Sequence, residues 1–209
     1  MMRRLAPLAF LTAAALAAPV VAQMTMPTEA PGRLDPKRVV AGTYKFDPDH
    51  TQIVFTVNRL GFTEFNGMFA NPTGTVTLDS KNPAAAKVEA TIPIAKVRTT
   101  SPELDMALQK ADFFDAAQFP TATFVSTKVS VAGTTATITG NLTLHGVTKP
   151  VTLKARFIGA GNEFWGDKKL AFGFAATTTI MRSQFGLTNS IPLVSDKVDL
   201  VINAGMEAQ

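Results

Sequence analysis

The 209-residue chain contains no cysteine. This absence excludes disulfide bonds, thiolate metal sites, cysteine nucleophiles and attachment of haem or lipid through sulfur. Histidine is scarce as well: only His50 and His145 are present, so a zinc site would have to be built mostly from carboxylates, which is uncommon. We therefore expect stability to come from burial and hydrogen bonding, and we expect no metal site.

Sequence motifs of common enzymes and nucleotide-binding proteins are also missing. The chain has no GxSxG motif, no glycine-rich phosphate loop after a strand and no pair of histidines on a helix. The formal net charge is only +4, and the cations form no basic stripe with interleaved aromatic residues. We predict that the protein is not an enzyme and that nucleic acid is not its partner.

Long apolar runs are limited to the first residues of the chain. Arg3 and Arg4 precede an apolar run at 5–21, and small residues ending at Ala22 follow. This layout is typical of a cleaved secretory signal peptide, here residues 1–22, and it predicts an exported protein. The run is short and alanine-rich for a membrane-spanning helix of ~20 residues, and no second run of that length exists, so we expect no stable membrane span.

Proline-rich residues 23–42 predict a linker, and residues 43–205 predict a single folded domain. Within the domain, apolar residues recur at every second position, which indicates strands with one apolar and one polar face. The clearest segments are QIVFTVNR, GTVTLD, KVEATIPI, ATITGNLTLHG, VTLKARFI, LAFGFAATTTI and DKVDLVI. About eight such strands need a shared interior, which either a sandwich or a closed antiparallel barrel supplies.

One segment departs from this alternation. In SPELDMALQKADFFD, Ser101 is a plausible N-cap, Pro102 suits the first helical position, and Leu104 and Leu108 follow at helical spacing. The segment predicts a short helix over the sheet or across a barrel mouth. The stretch ADFFDAAQFPTATF follows it and holds four of the fifteen phenylalanines, a concentration of apolar surface that suits either a packed core or a cavity for an apolar molecule.

Four stretches, FDPDHTQIVFTVNRLGFTEFNGMF, DFFDAAQFPTATFVSTKV, GNLTLHGVTKPVTL and IMRSQFGL, resemble the YceI-like family of bacterial exported proteins. The resemblance implies an all-β fold, a lipocalin-like extended antiparallel eight-stranded β-barrel with one short helix near the mouth. It also implies a periplasmic location and a long polyisoprenoid, such as a polyprenyl quinone or polyprenyl phosphate, or a similar amphiphile, held in an apolar tunnel. Asn58 and Ala107 stand where the family often carries histidine, which leaves the headgroup open.

The predicted ligand-binding set combines the aromatic residues of the strands with the helix, the turn that follows it and one cation that matches the family pattern. Its members are Phe55, Phe65, Phe69, Leu104, Leu108, Phe113, Phe114, Phe119, Phe124, Phe157, Phe172, Phe174, Arg182 and Phe185. For any single apolar member, ordinary core packing is the competing interpretation, and for Arg182 it is a structural salt bridge. We expect no cofactor, and a long-chain isoprenoid or fatty amphiphile as the partner; a homodimer is compatible with the sequence.

Two alternative functions remain open at this point. His50 follows Asp47 and Asp49, so a carboxylate–imidazole pair acting on a small lipid-like substrate is conceivable, although such a run more often forms a turn whose side chains bond nearby backbone. The other alternative is an envelope stress or interaction scaffold whose barrel interior is filled by its own side chains.

Overall fold

The computed structural model describes residues 26–79 and 81–208, and the predicted signal peptide lies outside these residues. Strands make up most of the regular secondary structure of these residues. The strands are β1 (Gly42–Phe46), β2 (Gln52–Arg59), β3 (Thr63–Ala70), β4 (Thr73–Leu78), β5 (Lys87–Pro93), β6 (Val97–Arg98), β7 (Thr121–Ala132), β8 (Thr135–Leu144), β9 (Val147–Asn162), β10 (Leu170–Met181) and β11 (Lys197–Ala208), and the helix α1 is Pro102–Leu108.

The strands close into an antiparallel barrel with eight positions around its circumference. Five positions are single strands, β7 to β11. The other three each contain two short strands in succession: β11 pairs with both β1 and β2, these pair with β4 and β3, and these in turn pair with β5 and β6. The predicted eight-stranded barrel is confirmed, and closure leaves few unpaired strand edges.

Alternation along each strand separates the inside of the barrel from the outside. On β11, Leu200 and Ile202 point inward, whereas Val201 between them points outward and is 42% exposed. The pairing of β10 with β11 keeps this register without interruption from Ala171↔Glu207 to Met181↔Lys197. Because side chains on a strand alternate between its two faces, the unbroken register holds one apolar face toward the interior along these two strands.

The predicted helix is present at one end of the barrel. The hydroxyl of Ser101 accepts the backbone N–H of Leu104 at 3.3 Å, and Pro102 occupies the first helical position. We call this the helix end of the barrel; it also carries the β2–β3 turn and residues 182–196. The opposite end carries the β7–β8 and β9–β10 turns. Within residues 26–79 and 81–208, no helix is long and apolar enough to cross a membrane.

The segment before β1 packs along the end opposite the helix. Arg33 exchanges two backbone hydrogen bonds with Ala160 of β9, at 3.0 and 2.9 Å. Val39 is buried in a cluster with Tyr44, and the Tyr44 hydroxyl donates to the carbonyl of Val40 at 2.7 Å. This cluster also holds Phe172 and packs the segment before β1 against the barrel.

Candidate functional site

The barrel interior contains two apolar cavities. The first, of about 390 Å³, lies in the half opposite the helix and is lined mostly by alanine, valine, leucine and isoleucine side chains of β4, β5 and β7–β11. The second, of about 360 Å³, lies under α1 between the β2–β3 hairpin and residues 187–194. Each is within the usual range of ~300–1,000 Å³ for ligand pockets. The filled-scaffold alternative is therefore wrong for the described residues.

The two cavities meet at a common ring of four side chains. Ile53, Ile92, Leu142 and Leu200 line both of them, so the cavities lie next to each other along the barrel with these side chains at their boundary. Ile53, Leu142 and Leu200 are only partly buried although they point inward, because part of their surface faces the cavities. We call this ring the waist.

The structure brings most of the predicted site residues to these walls. The second cavity is lined by Phe55, Phe65, Phe69, Leu104, Leu108, Phe113, Phe114 and Arg182, and the first by Phe124, Phe157 and Phe174. In the second cavity, the ring of Phe69 packs against Phe55 at 5.7 Å between centroids and against Phe114 at 5.5 Å. The residues after the helix are thus joined to the barrel wall through aromatic packing.

Three predicted residues line neither cavity. Phe172 packs edge-on against Tyr44, with 4.6 Å between ring centroids, in the buried cluster at the end opposite the helix. Phe185 is fully buried in the core, and Phe119 packs against His145 in the β8–β9 turn at 4.8 Å. Their positions are those of packing residues, and contact between them and a ligand remains a prediction.

Both cavities have polar side chains at an outer boundary. The exposed Lys37, Thr134 and Thr135 line the first cavity at the end opposite the helix, and a polar rim borders the second cavity. Arg59, Asp112, Asn189 and Ser190 contribute to its wall together with Arg182. Arg59, Asp112 and Ser190 are exposed, so the rim is the outer boundary of this cavity. Asn58 and Ala107, the positions that differ from the family pattern, line neither cavity.

Arg182 is held by main-chain carbonyls. Its guanidinium donates four hydrogen bonds, to the carbonyl oxygens of Ser195 (2.9 Å), Leu187 (2.9 Å), Asn189 (2.8 Å) and Val194 (2.9 Å). Burial lowers the pKa of Arg182, and the charge of Asp196 partly offsets this effect. Arg182 therefore fixes the segment 187–195, which forms one wall of the second cavity.

Asp196 supports the same segment without binding the guanidinium. Its carboxylate accepts the hydroxyl and the backbone N–H of Ser183, at 2.6 and 2.7 Å. These two hydrogen bonds hold the pKa of Asp196 below its usual value, with a smaller effect from the charge of Arg182. Among the described residues, Arg182 has no carboxylate within ion-pair distance, so the salt-bridge interpretation is replaced by a carbonyl cage.

His50 lies away from both cavities. Its side chain is 81% exposed and is hydrogen-bonded through Nδ1 to the carboxylate of Asp47. Asp47 also accepts the backbone N–H groups of Asp49 and His50, at 3.0 and 3.2 Å, so the run forms the predicted turn between β1 and β2. His50 lines neither of the two cavities described above.

The hydrogen bond between Asp47 and His50 shifts the pKa of both side chains. The hydrogen bond and charge of Asp47 raise the pKa of His50; burial raises the pKa of Asp47, but its hydrogen bonds with His50 outweigh burial and lower it. The raised pKa of His50 stabilises the fold fully below the unfolded value of ~6.5, and this stabilisation is lost as the pH rises through the folded pKa. The lowered pKa of Asp47 stabilises the fold fully above the unfolded value of ~3.9, and this stabilisation is lost as the pH falls through the folded pKa. The Asp47–His50 pair therefore stabilises the fold most between about pH 3.9 and about pH 6.5.

Asp47→Asn is expected to lower the titration midpoint of His50 in NMR spectra toward ~6.5. The His145 signal, from the other end of the barrel, is the internal reference. A His50 midpoint that is unchanged by the substitution contradicts the pairing.

Sequence reasoning missed the aliphatic lining of the first cavity and most of the polar rim. Ala90, Ala136, Ala155, Ala176 and Ala204 line the first cavity. Their inward positions follow from the strand alternation, and small side chains at many inward positions were the available signal that the interior is not filled. Asn189 and Ser190 lie in a segment without periodicity, so no pattern indicated them.

Comparison with known proteins gives the family. The model of the YceI-like domain matches residues 44–206. The protein YceI of Escherichia coli O17:K52:H18 is 43% identical over 166 residues, which cover 78% of this chain and 86% of that protein.

Solved structures share the fold. The crystal structure of Burkholderia cenocepacia BcnA superposes with a TM-score of 0.68 at 22% identity, covering 77% of this chain and 98% of that one. A polyisoprenoid binding domain from Saccharophagus degradans, implicated in plant cell wall breakdown, superposes with a TM-score of 0.57 at 15% identity, covering 79% and 98%. With the family match over nearly the whole barrel, the chain belongs to the YceI-like domain family.

Proposed function

We propose that this protein is an exported, periplasmic, non-enzymatic carrier that holds a long-chain isoprenoid or a similar amphiphile inside the barrel. The observation that carries the proposal is the pair of apolar cavities that meet at the waist, because a chain-shaped ligand that passes the waist would bury its length in both. The polyisoprenoid binding named for the Saccharophagus degradans domain, which has the same fold, supports this ligand class.

The distribution of polar groups predicts where the headgroup of the ligand lies. Arg59, Asn189 and Ser190 border the second cavity at its outer boundary, and Lys37, Thr134 and Thr135 border the first. The headgroup is therefore expected at one of these two boundaries, and the tail along the apolar lining between them. The polar atoms of Arg182 contribute little to headgroup binding, because four of its N–H donors are already bound to carbonyls.

The free energies of burial and hydrogen bonding indicate that the tail of the ligand provides most of the affinity. Burying a methylene group contributes about 0.8 kcal/mol, so a ~20-carbon tail contributes on the order of 16 kcal/mol before costs. Association and ordering cost roughly 4–15 kcal/mol, and a charge-assisted hydrogen bond at the rim adds roughly 1.5–3 kcal/mol. A site of this kind selects for tail length and shape more than for one headgroup, so polyprenyl quinones and polyprenyl phosphates are both candidate ligands.

The direct test is identification of the ligand in protein purified from its native cell envelope. Organic extraction followed by mass spectrometry is expected to give one class of long apolar molecule in near-stoichiometric amount. The control is the same protein refolded from denaturant without lipid and extracted in the same way. Repeatedly clean extracts of the native-source protein contradict the proposal.

A further inference from the structure

The helix end of the barrel carries an exposed apolar projection that the cavities do not explain. Phe62 in the β2–β3 turn is 82% exposed, Leu193 is 60% exposed and Leu60 is 38% exposed. The backbone N–H of Leu60 donates to the carbonyl of Leu193 at 2.7 Å, and Arg59 forms a bridge with Val194, so the turn and the 187–195 segment are adjacent. We call Leu60, Phe62 and Leu193 the apolar tip.

The backbone of the tip is unusual for its residue types. Leu60 and Gly61 have φ values of 58° and 70°, and the N–H of Phe62 donates to the carbonyl of Arg59 at 3.0 Å, as in a type I′ turn. Asparagine or glycine normally occupies the first central position of such a turn, because a bulky side chain rarely adopts a positive φ. A leucine is thus held in a strained conformation at an exposed position, which points to a function for its side chain.

The tip is continuous with the rim of the second cavity. Arg59 and Val194, which flank the tip on its two segments, both line that cavity. A molecule that leaves the cavity past this part of the rim passes next to the tip. The charged residues on either side of the turn, Arg59 and Glu64, have opposite signs, so the surroundings favour no strongly charged partner.

We propose that the apolar tip seats the rim of the second cavity on the surface of a lipid bilayer, from which the barrel exchanges its ligand. The inference rests on the proposed carrier function for its purpose, but the contact itself does not require a ligand. An uncharged interfacial lipid surface accommodates leucine and phenylalanine side chains next to a polar rim.

A second copy of the chain is a less suitable partner for the apolar tip than a lipid bilayer. One large aromatic side chain buries about 150–250 Å². Three partly exposed side chains therefore bury a few hundred Å² at most, well below the ~800 Å² per partner of a standard stable interface.

The test is flotation of the ligand-free full mature protein with phosphatidylcholine vesicles. Phe62→Ser and Leu193→Ser are each expected to lower the vesicle partition coefficient about tenfold, since burial of one such side chain contributes roughly that factor. The matched control is Trp165→Ser, which removes an apolar side chain that is 65% exposed in the β9–β10 turn at the opposite end. Circular dichroism and thermal melting check that all three variants remain folded.

Several results overturn the inference: no vesicle binding by the wild-type protein, equal losses in the tip and Trp165 variants, or a wild-type dimer that Phe62→Ser converts to a monomer while vesicle binding is unchanged. The result also separates the two proposals. Tip-dependent vesicle binding with clean native extracts supports the docking surface and contradicts the carrier function. Stoichiometric ligand in extracts with tip-independent vesicle binding supports the carrier and contradicts the docking surface.

Discussion

Leu200→Trp is expected to reduce the amount of long-chain ligand that copurifies with the protein at least about tenfold. Leu200 is one of the four residues of the waist, and an indole there closes the passage between the cavities. If half of a ~20-carbon tail no longer passes the waist, about 8 kcal/mol of gross burial is lost, and each 1.4 kcal/mol corresponds to a factor of ten. Reorganisation of the tail recovers part of this loss, which is why we expect tenfold as a minimum.

The matched control is Val201→Trp, because Val201 is the next residue on β11 and points outward with 42% exposure. It adds a larger aromatic side chain to the same strand without entering the barrel, so ligand content is expected to be unchanged. Leu200→Trp places its extra atoms in existing space and is expected to cost less than the ~1–3 kcal/mol typical of overpacking. Thermal melting measures this cost.

Tail length provides a second readout for the same variant. A probe with a tail about half as long needs only one of the two cavities, so its affinity is expected to be similar in the wild-type protein and in Leu200→Trp. Extraction with mass spectrometry and a binding titration with the short probe give the two measurements. Full retention of the long ligand by Leu200→Trp contradicts a continuous passage through the waist.

Strand alternation carries enough information to predict the barrel. Residues such as Val88, Ala90 and Ile92 on β5 place apolar side chains on one face only, and about eight strands of this kind have few ways to bury that face. The helix could also be predicted from the sequence, because Ser101 and Pro102 are a local signal that does not depend on the rest of the fold.

The turn between β1 and β2 was predicted, but the strand against which it packs was not. The turn at 47–51 is held in the sheet by Gly205 of β11, whose carbonyl accepts the N–H of Asp47 at 2.9 Å and whose N–H donates to the Thr51 hydroxyl at 3.0 Å. These contacts join positions more than 150 residues apart in sequence. A single sequence shows the turn residues but not the partner strand that they face.

The predicted phenylalanines describe the lining of the second cavity better than that of the first. Aromatic residues such as Phe55, Phe69 and Phe114 line the second cavity, but the first cavity owes its space to alanines such as Ala155 and Ala176. An alanine indicates neither burial nor a ligand contact by itself. Its meaning depends on what stands opposite it across the barrel, which only the three-dimensional register supplies.

Arg182→Met is expected to destabilise the protein by about 2–4 kcal/mol and to lower its melting temperature by about 5–15 °C. The substitution keeps an apolar stem of similar length but removes the donors of four hydrogen bonds to the carbonyls of the 187–195 segment. Carbonyls left without a donor in a partly buried place each cost about 1–3 kcal/mol, and we reduce the sum because Arg182 is only half-buried and water replaces part of what is lost. Differential scanning calorimetry measures the change.

Arg182→Lys separates the geometry of the guanidinium from its charge. An ammonium presents three donors from one nitrogen and does not span four carbonyls as the planar fork does, so lysine is expected to restore only part of the stability. The control is Arg156→Met, which removes an exposed arginine from the outer face of β9 and is expected to change the melting temperature little. Because Asn189, Ser190 and Val194 line the second cavity, Arg182→Met is also expected to lower ligand retention. Equal stability of the methionine and wild-type proteins contradicts the role of Arg182 as the residue that fixes this wall.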